Sequence, residues 1–250
     1  VTVAEVVAPD GTHIHYVVDG SGPAVVLLHG ISADGQMNWE WTGIGPALRE
    51  AGFRTVAVDQ RGHGSSDKPH DPERYDDDRF AGDVSAVLDD ANIAHCVLIG
   101  YSMGAYMALR TVVREPRIRA LVLGGIGGTA PKAQDREDVA RALEADRLTA
   151  EHRGDAREIR QYADATGADR RALAAIQRGR SDRPLALDAV TVPVLVIVGE
   201  SDELAGDAET LARSLAGARF VRVRGDHASV LIEPAFIAAL VDFVRAVSAP

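Results

Sequence analysis

The chain has one cysteine, Cys96, in 250 residues. A lone cysteine excludes an intramolecular disulfide and gives no sign of an oxidising compartment. Cys96 stands inside an apolar run, so it reads as a packed small apolar residue and not as a nucleophile. Long apolar runs are also missing. No segment approaches the roughly 20 residues of a membrane span, and the start, VTVAEVVAPDGTHIHY, lacks the basic and apolar regions of a secretory signal. The expectation is a cytoplasmic protein with no membrane partner. Basic excess is absent too: 27 Lys and Arg stand against 37 Asp and Glu, a net charge of −10. That balance argues against a phosphate-binding surface and so against nucleic acid. It fits a neutral or cationic small-molecule partner. There is no internal repeat and no low-complexity segment, and nothing in the sequence speaks to oligomeric state.

What is present is ordinary globular composition, 46% hydrophobic and 26% charged, with length enough for a sizeable core. Val3 to Ala8 and His13 to Asp19 flank Pro9-Asp10-Gly11, a hairpin signal. His13 and His15 share one face of the second run. Without a third ligand nearby they read as solvent-facing, not metal-binding. Ala24 to Leu28 is continuously apolar and reads as a strand buried on both faces. A helix near Gly45 to Ala51, a strand Phe53 to Val58 and a helix with Phe80, Val84, Val87, Leu88 and Ala91 on one stripe follow. Cys96 to Ile99 is a strand, Ala105 to Val113 a helix, Ala120 to Leu123 another strand. Lys132 to Pro184 then changes character: it is dense in Arg, Asp, Glu and Ala, with sparse, helically spaced apolar residues. It reads as short amphipathic helices packed on something else. Strands resume at Val192 to Val198 and Phe220 to Val223, with a helix Asp207 to Leu215 between and a last helix bearing Phe236, Ile237, Leu240, Val241 and Val244. The alternation predicts an α/β fold, a mostly parallel sheet with helices on both faces.

In such a sheet ligands sit at the carboxyl ends of the strands. Those ends carry His29-Gly30-Ile31, Asp59 to Gly64, Ser102, Gly199-Glu200-Ser201-Asp202 and Gly225-Asp226-His227. Ser102 stands in Gly100-Tyr101-Ser102-Met103-Gly104, a G-x-S-x-G match between a strand and a helix. Such a turn strains the backbone at the serine, and the flanking glycines let strand and helix cross closely. Serine, aspartate and histidine follow in that order on three strand ends. Ser102 would be the nucleophile, His227 the base that takes its proton, and Asp202 the group that orients the imidazole. Glu200 and Asp207 are rival carboxylates. His29 and His63 are rival bases, on loops that read as shaping the site. Gly125 to Ala130 fits G-x-G-x-x-A, but no βαβ unit with an acidic strand end follows, so it reads as flexible entry to the next segment, not as a dinucleotide site.

With these motifs the chain resembles the α/β-hydrolase-fold family over its whole length: HG at His29-Gly30, DQRGHGSS from Asp59 to Ser66, GYSMG, GESD ending in Asp202 and GDH ending in His227. The resemblance implies an eight-stranded, mostly parallel sheet, a core of residues 1–131 and 188–250, and a small helical cap at 132–187. It places the oxyanion donors at the backbone N–H groups of Ile31 and Met103. Ala105 stands where many members have a second glycine. The pocket is expected from Trp39, Trp41, Tyr101, Leu143 and Tyr162. The activity implied is a serine esterase acting through an acyl-enzyme, with no metal and no organic cofactor. Carbon–carbon bond hydrolases and lactonases share the same residue set, and the fold also hosts small-molecule receptors. Haloalkane dehalogenases and epoxide hydrolases, which place a carboxylate at the nucleophile, are disfavoured by Ser102.

Overall fold

The Asp10-Gly11 turn, with Gly11 at φ +83°, folds β1 (Thr2–Val7) back antiparallel on β2 (His13–Asp19). The computed structural model describes residues 1–249. β2 also pairs antiparallel with β4 (Arg54–Val58). From there the sheet is parallel: β3 (Ala24–Leu28), β5 (Cys96–Tyr101), β6 (Ile118–Gly124), β7 (Val194–Gly199) and β8 (Arg219–Val223). The eight strands lie in the order β1-β2-β4-β3-β5-β6-β7-β8. Central strands are buried on both faces, as their unbroken apolar runs require. The edge strand β8 is less buried, with Arg219 and Arg222 exposed to solvent, charges that discourage pairing with another chain.

The pleat sends alternate residues to two cores. Val25, Leu27, Ile99, Val122 and Ile197 meet α1 (Ile44–Glu50) and α8 (Pro234–Ser248) on one face. Val26, Leu28, Leu98, Val196 and Val198 meet α2 (Asp77–Asp90), α3 (Met103–Val112) and α7 (Ala208–Ser214) on the other. Local signals start and stop these helices. Asp76 caps α2 by accepting the Arg79 N–H at 2.9 Å, and Pro234 opens α8. Asp207 lies just outside α7 and caps it at Thr210 N, 3.0 Å. The helix after Ser102 begins at Met103, earlier than the periodicity of its apolar residues indicated.

Between β6 and β7 the polar block forms α4 (Ala133–Glu144), α5 (Gly154–Thr166) and α6 (Arg170–Gly179). Buried arginines pin these short helices together by satisfying orphan C-terminal carbonyls. Arg160 on α5 donates to Ala142 O of α4 and to Ala145 O just past its end, at 2.6 and 2.7 Å. Arg136 on α4 donates to Gln177 O of α6 at 3.0 Å. α6 rests on the loop after β4: a Cβ on Gly179 would meet Pro72 O at 2.1 Å, and one on Gly62 would meet Ile176 Cδ1 at 2.6 Å. The excursion thus covers the carboxyl ends of the parallel strands. No helix among the described residues is long and apolar enough to cross a membrane.

Candidate active site

Ser102 sits at the tip of β5 with φ 52° and ψ −117°, outside the usual range for a residue with a Cβ. The strain is held from both sides. Ser102 N donates to Gly124 O at 2.8 Å, and its carbonyl accepts from Ala105 N at 3.0 Å. A Cβ on Gly100 would meet Gly104 O at 2.4 Å, and one on Gly104 would meet Leu28 O at 2.1 Å. Glycine is therefore required at both positions by close crossing of strand and helix. The serine hydroxyl lies 3.0 Å from His227 Nε2. His227 Nδ1 lies 2.9 and 3.0 Å from the two Asp202 oxygens, which fixes the tautomer with Nδ1 protonated and Nε2 free to accept. Asp202 is fully buried at its side chain, and its Oδ1 also accepts from Ala205 N at 3.0 Å. The rival carboxylates lie elsewhere: Glu200 is exposed and Asp207 caps α7.

The supports around these three side chains are tertiary. Tyr101 O–H donates to His227 O and its ring lies 5.2 Å from the imidazole. Gly125, at φ +65°, leaves the space both need: a Cβ there would meet Tyr101 Cζ at 2.8 Å and His227 Cε1 at 3.0 Å. Gly127 abuts Ala205 O, 2.0 Å from a built Cβ. The glycine run is therefore close packing against the His227 and Asp202 loops, a correction to its reading as flexible entry. Asn38, which sequence patterns did not single out, accepts from Gly30 N at 2.7 Å and so orients the loop carrying Ile31. The N–H groups of Ile31 and Met103 have no protein partner among the described residues. Both residues border the cavity at Ser102.

His29 and His63 are neutral scaffold. His29 Nδ1 donates to Gly30 O at 2.7 Å and Nε2 accepts from Gln60 N at 3.0 Å. Burial lowers the pKa of His29 and pushes that of His63 down to about 3. Neither reaches Ser102. His13 is solvent-facing and meets Glu5 at 2.7 Å, but His15 is half-buried against Asp59 Oδ2 at 2.9 Å, a correction to its reading as solvent-facing. No group of three or more His, Cys, Asp or Glu among the described residues is arranged to hold a metal. Cys96 is buried, and burial pushes its thiol up to about 12.

The alpha/beta hydrolase fold family matches residues 23–146. Along the whole chain, a hydrolase from Pseudomonas aeruginosa PA01 superposes with TM-score 0.82 at 27% identity, covering 97% of this chain and 98% of that one. The chain is an α/β-hydrolase-fold protein. An esterase from Exiguobacterium antarcticum superposes at 0.81 with 25% identity, over 98% of this chain and 100% of its own. By sequence the chain is 40% identical over 118 residues to epoxide hydrolase B of Mycobacterium tuberculosis, 46% of this chain and 32% of that protein. The matches to the epoxide hydrolases span between 20% and 36% of those relatives' lengths.

On this hydrolase fold the cavity at Ser102 has two lobes, which share Ile31, Ser102, Ile159, Leu204 and His227. One, of about 370 Å³, is mostly apolar and is bounded by Met37, Tyr101, Tyr162 and Leu231 among others. The other, of about 250 Å³, is the more polar of the two and runs under α4 and α6. Trp39, Trp41 and Leu143 do not line either lobe. Trp39 is packed at 1% exposure beneath the sheet, Leu143 at 0% inside the helical excursion, and Trp41 is 67% exposed on the outer surface. The π-helical turn Gln36–Glu40 carries Trp39 and ends at Trp41, and it presents Met37 and Asn38 to the cavity instead, a register that periodicity does not encode.

Proposed function

We propose that the protein is a serine hydrolase that cleaves a small or medium-sized carboxylic ester through an acyl-enzyme. The observation that carries this is the unbroken chain from Ser102 Oγ through His227 to Asp202, at 3.0 and 2.9 Å. His227 takes the hydroxyl proton as Ser102 attacks the carbonyl carbon. Asp202 stabilises the imidazolium that results. The unpaired N–H groups of Ile31 and Met103 receive the developing oxyanion. Collapse expels the alcohol, which takes the proton from His227, and a water then repeats the sequence in reverse to free the acid.

The partial likeness to epoxide hydrolases does not carry their reaction across. A serine attacking an epoxide carbon would form an ether, which this machinery has no means to hydrolyse. A serine attacking a carbonyl forms an ester, which it can. The combined volume of the lobes suits a substrate of modest size. Lactones fit the same chemistry, and carbon–carbon bond hydrolysis shares the residue set.

The test is labelling with a fluorophosphonate followed by turnover on esters, lactones and epoxides. We expect rapid labelling at Ser102, ester hydrolysis, and a loss on the order of 10⁴ to 10⁶ in turnover for Ser102→Ala. Epoxide turnover that survives Ser102→Ala would overturn the reading. Tight ligand binding with no labelling would mark a receptor.

A further inference from the structure

Three guanidinium groups converge where α6 runs back to the core. Arg110 of α3 lies 3.2 Å from the Asp77 carboxylate and donates to Pro184 O at 3.3 Å. Arg136 pairs with Asp182 and donates to Gln177 O, Pro131 O and Arg180 O at 3.0, 2.7 and 3.2 Å. The third, Arg180, is different. Among the described residues its guanidinium has no ion pair and no hydrogen bond, and it lies over the Tyr106 ring, 5.5 Å from Cζ to centroid. Tyr106 lies one helical turn after Ser102 on α3 and is itself held by a 3.0 Å bond to Thr129 O. Tyr106 and Arg180 both line the polar lobe that contains Ser102, Met103 and His227. Gln177, whose side-chain amide also makes no hydrogen bond among the described residues, lines the same lobe.

A partly desolvated cation without a counter-ion is costly, and proteins ordinarily pair such groups. Burial, with added repulsion from the neighbouring Arg136, lowers the pKa of Arg180 to about 10, which leaves it charged at neutral pH. The carboxylates that share the lobe do not answer it. Asp135, Asp138 and Asp155 are exposed at the rim, and none is within ion-pair distance of Arg180. Asp77, which also acts on Arg180, is engaged by Arg110. The unsatisfied donors of Arg180 therefore face the space a substrate would fill.

We propose that Arg180 binds a carboxylate carried by the substrate, so that the substrate class is an ester or lactone with an acid group on one side of the scissile bond and an apolar group on the other. The acid enters the polar lobe under α4 and α6, and the apolar part enters the lobe of Met37, Tyr162 and Leu231. This deepens the ester-hydrolase reading and rests on it. It runs against the expectation from a net charge of −10, because recognition is set by the local field of one desolvated guanidinium, while the exposed acids are screened within about 8 Å at physiological salt.

The experiment compares half-esters of a short dicarboxylic acid with neutral esters of matched length, on the wild type, Arg180→Met and Arg180→Lys. The wild type should prefer the acid ester tenfold or more. Arg180→Met should lose about 10- to 100-fold in kcat/KM on the acid ester, mainly through KM, and stay within about threefold on the neutral one. Arg180→Lys, which keeps the charge, should recover part of the loss and serves as the variant of record if Arg180→Met folds poorly. Fluorophosphonate labelling of Ser102 should be unchanged in both. No preference for the acid ester in the wild type, or equal losses on both esters, would overturn the proposal. If Ser102 labels with no probe and neither ester turns over, it is the hydrolase reading that fails. Calorimetric binding of glutarate then decides the role of Arg180: binding that is lost in Arg180→Met supports it, and no binding to the wild type overturns it.

Discussion

At the scale of single residues, the site is assembled from conformations that only particular side chains tolerate. Ser102 holds φ 52° because its backbone is bonded at both ends and its glycine neighbours leave no slack. Asp202 holds its geometry by a different device: one oxygen is shared between Ala205 N and His227 Nδ1, so the carboxylate is orientated before it meets the imidazole. Asp202→Asn keeps the shape of that group but presents an N–H₂ that can oppose the Nδ1 proton, favouring the wrong tautomer. Turnover should fall on the order of 10⁴ with little change in melting temperature. Glu200→Gln, at an exposed position on the same loop, should leave steady-state rates within about twofold. A damaging Glu200→Gln with a mild Asp202→Asn would reassign the acid.

At the scale of elements, the helical excursion divides into wall and filling. Val139 of α4 and Ile159 and Tyr162 of α5 line the cavity. Leu143, Leu173 and Ile176 are fully buried among the helices and on the core. Both sets share the same helical spacing, so the distinction rests on the rotation of each helix about its axis once the arginine staples are made. Ile159, which borders both lobes, is the most informative position. Ile159→Ala should shift relative kcat/KM between short and long acyl chains by about 1–3 kcal/mol, with modest loss of stability. Leu143→Ala should do the reverse, costing about 2–5 kcal/mol in unfolding free energy with acyl preference unchanged. An acyl-chain series and urea unfolding on both variants separate the two roles.

At the scale of the whole molecule, stability should depend on pH through groups that lie behind the site and not in it. His63 is buried and neutral, with a pKa near 3 against an ordinary value of about 6.5. Between those values the unfolded chain binds more protons than the folded one, so stability rises with pH and is lost as pH falls below the unfolded value. Going from about pH 7.5 to about pH 5 should cost about 2 kcal/mol from His63 alone. His29, shifted in the same direction, adds to it. Urea midpoints at the two pH values measure the slope, and His63→Gln should flatten it. An unchanged slope would show that His63 is not held neutral. Unfolding and turnover followed together over this pH range separate loss of the fold from loss of activity.

The order Ser102, Asp202, His227 along the chain and the apolar runs before each were enough to indicate the fold and the three side chains that meet at the candidate site. Those signals are local: a run buried on both faces, a glycine-flanked serine between strand and helix, an acid and an imidazole after later strands. The rest is set by approaches between segments distant in sequence. Nothing local tells Gly125 that His227 and Tyr101 will need its missing Cβ, or tells Asn38 that it will orient the Ile31 loop. Trp39 and Trp41 look alike in sequence, yet one is core and the other surface, because a π-helical turn sets their directions. Arg180 is one arginine in a block dense with them, and only packing shows that Arg110 and Arg136 take the nearby carboxylates and leave its guanidinium facing the cavity. Periodicity decides which residues are buried, but partners across the fold decide which buried charge stays unpaired.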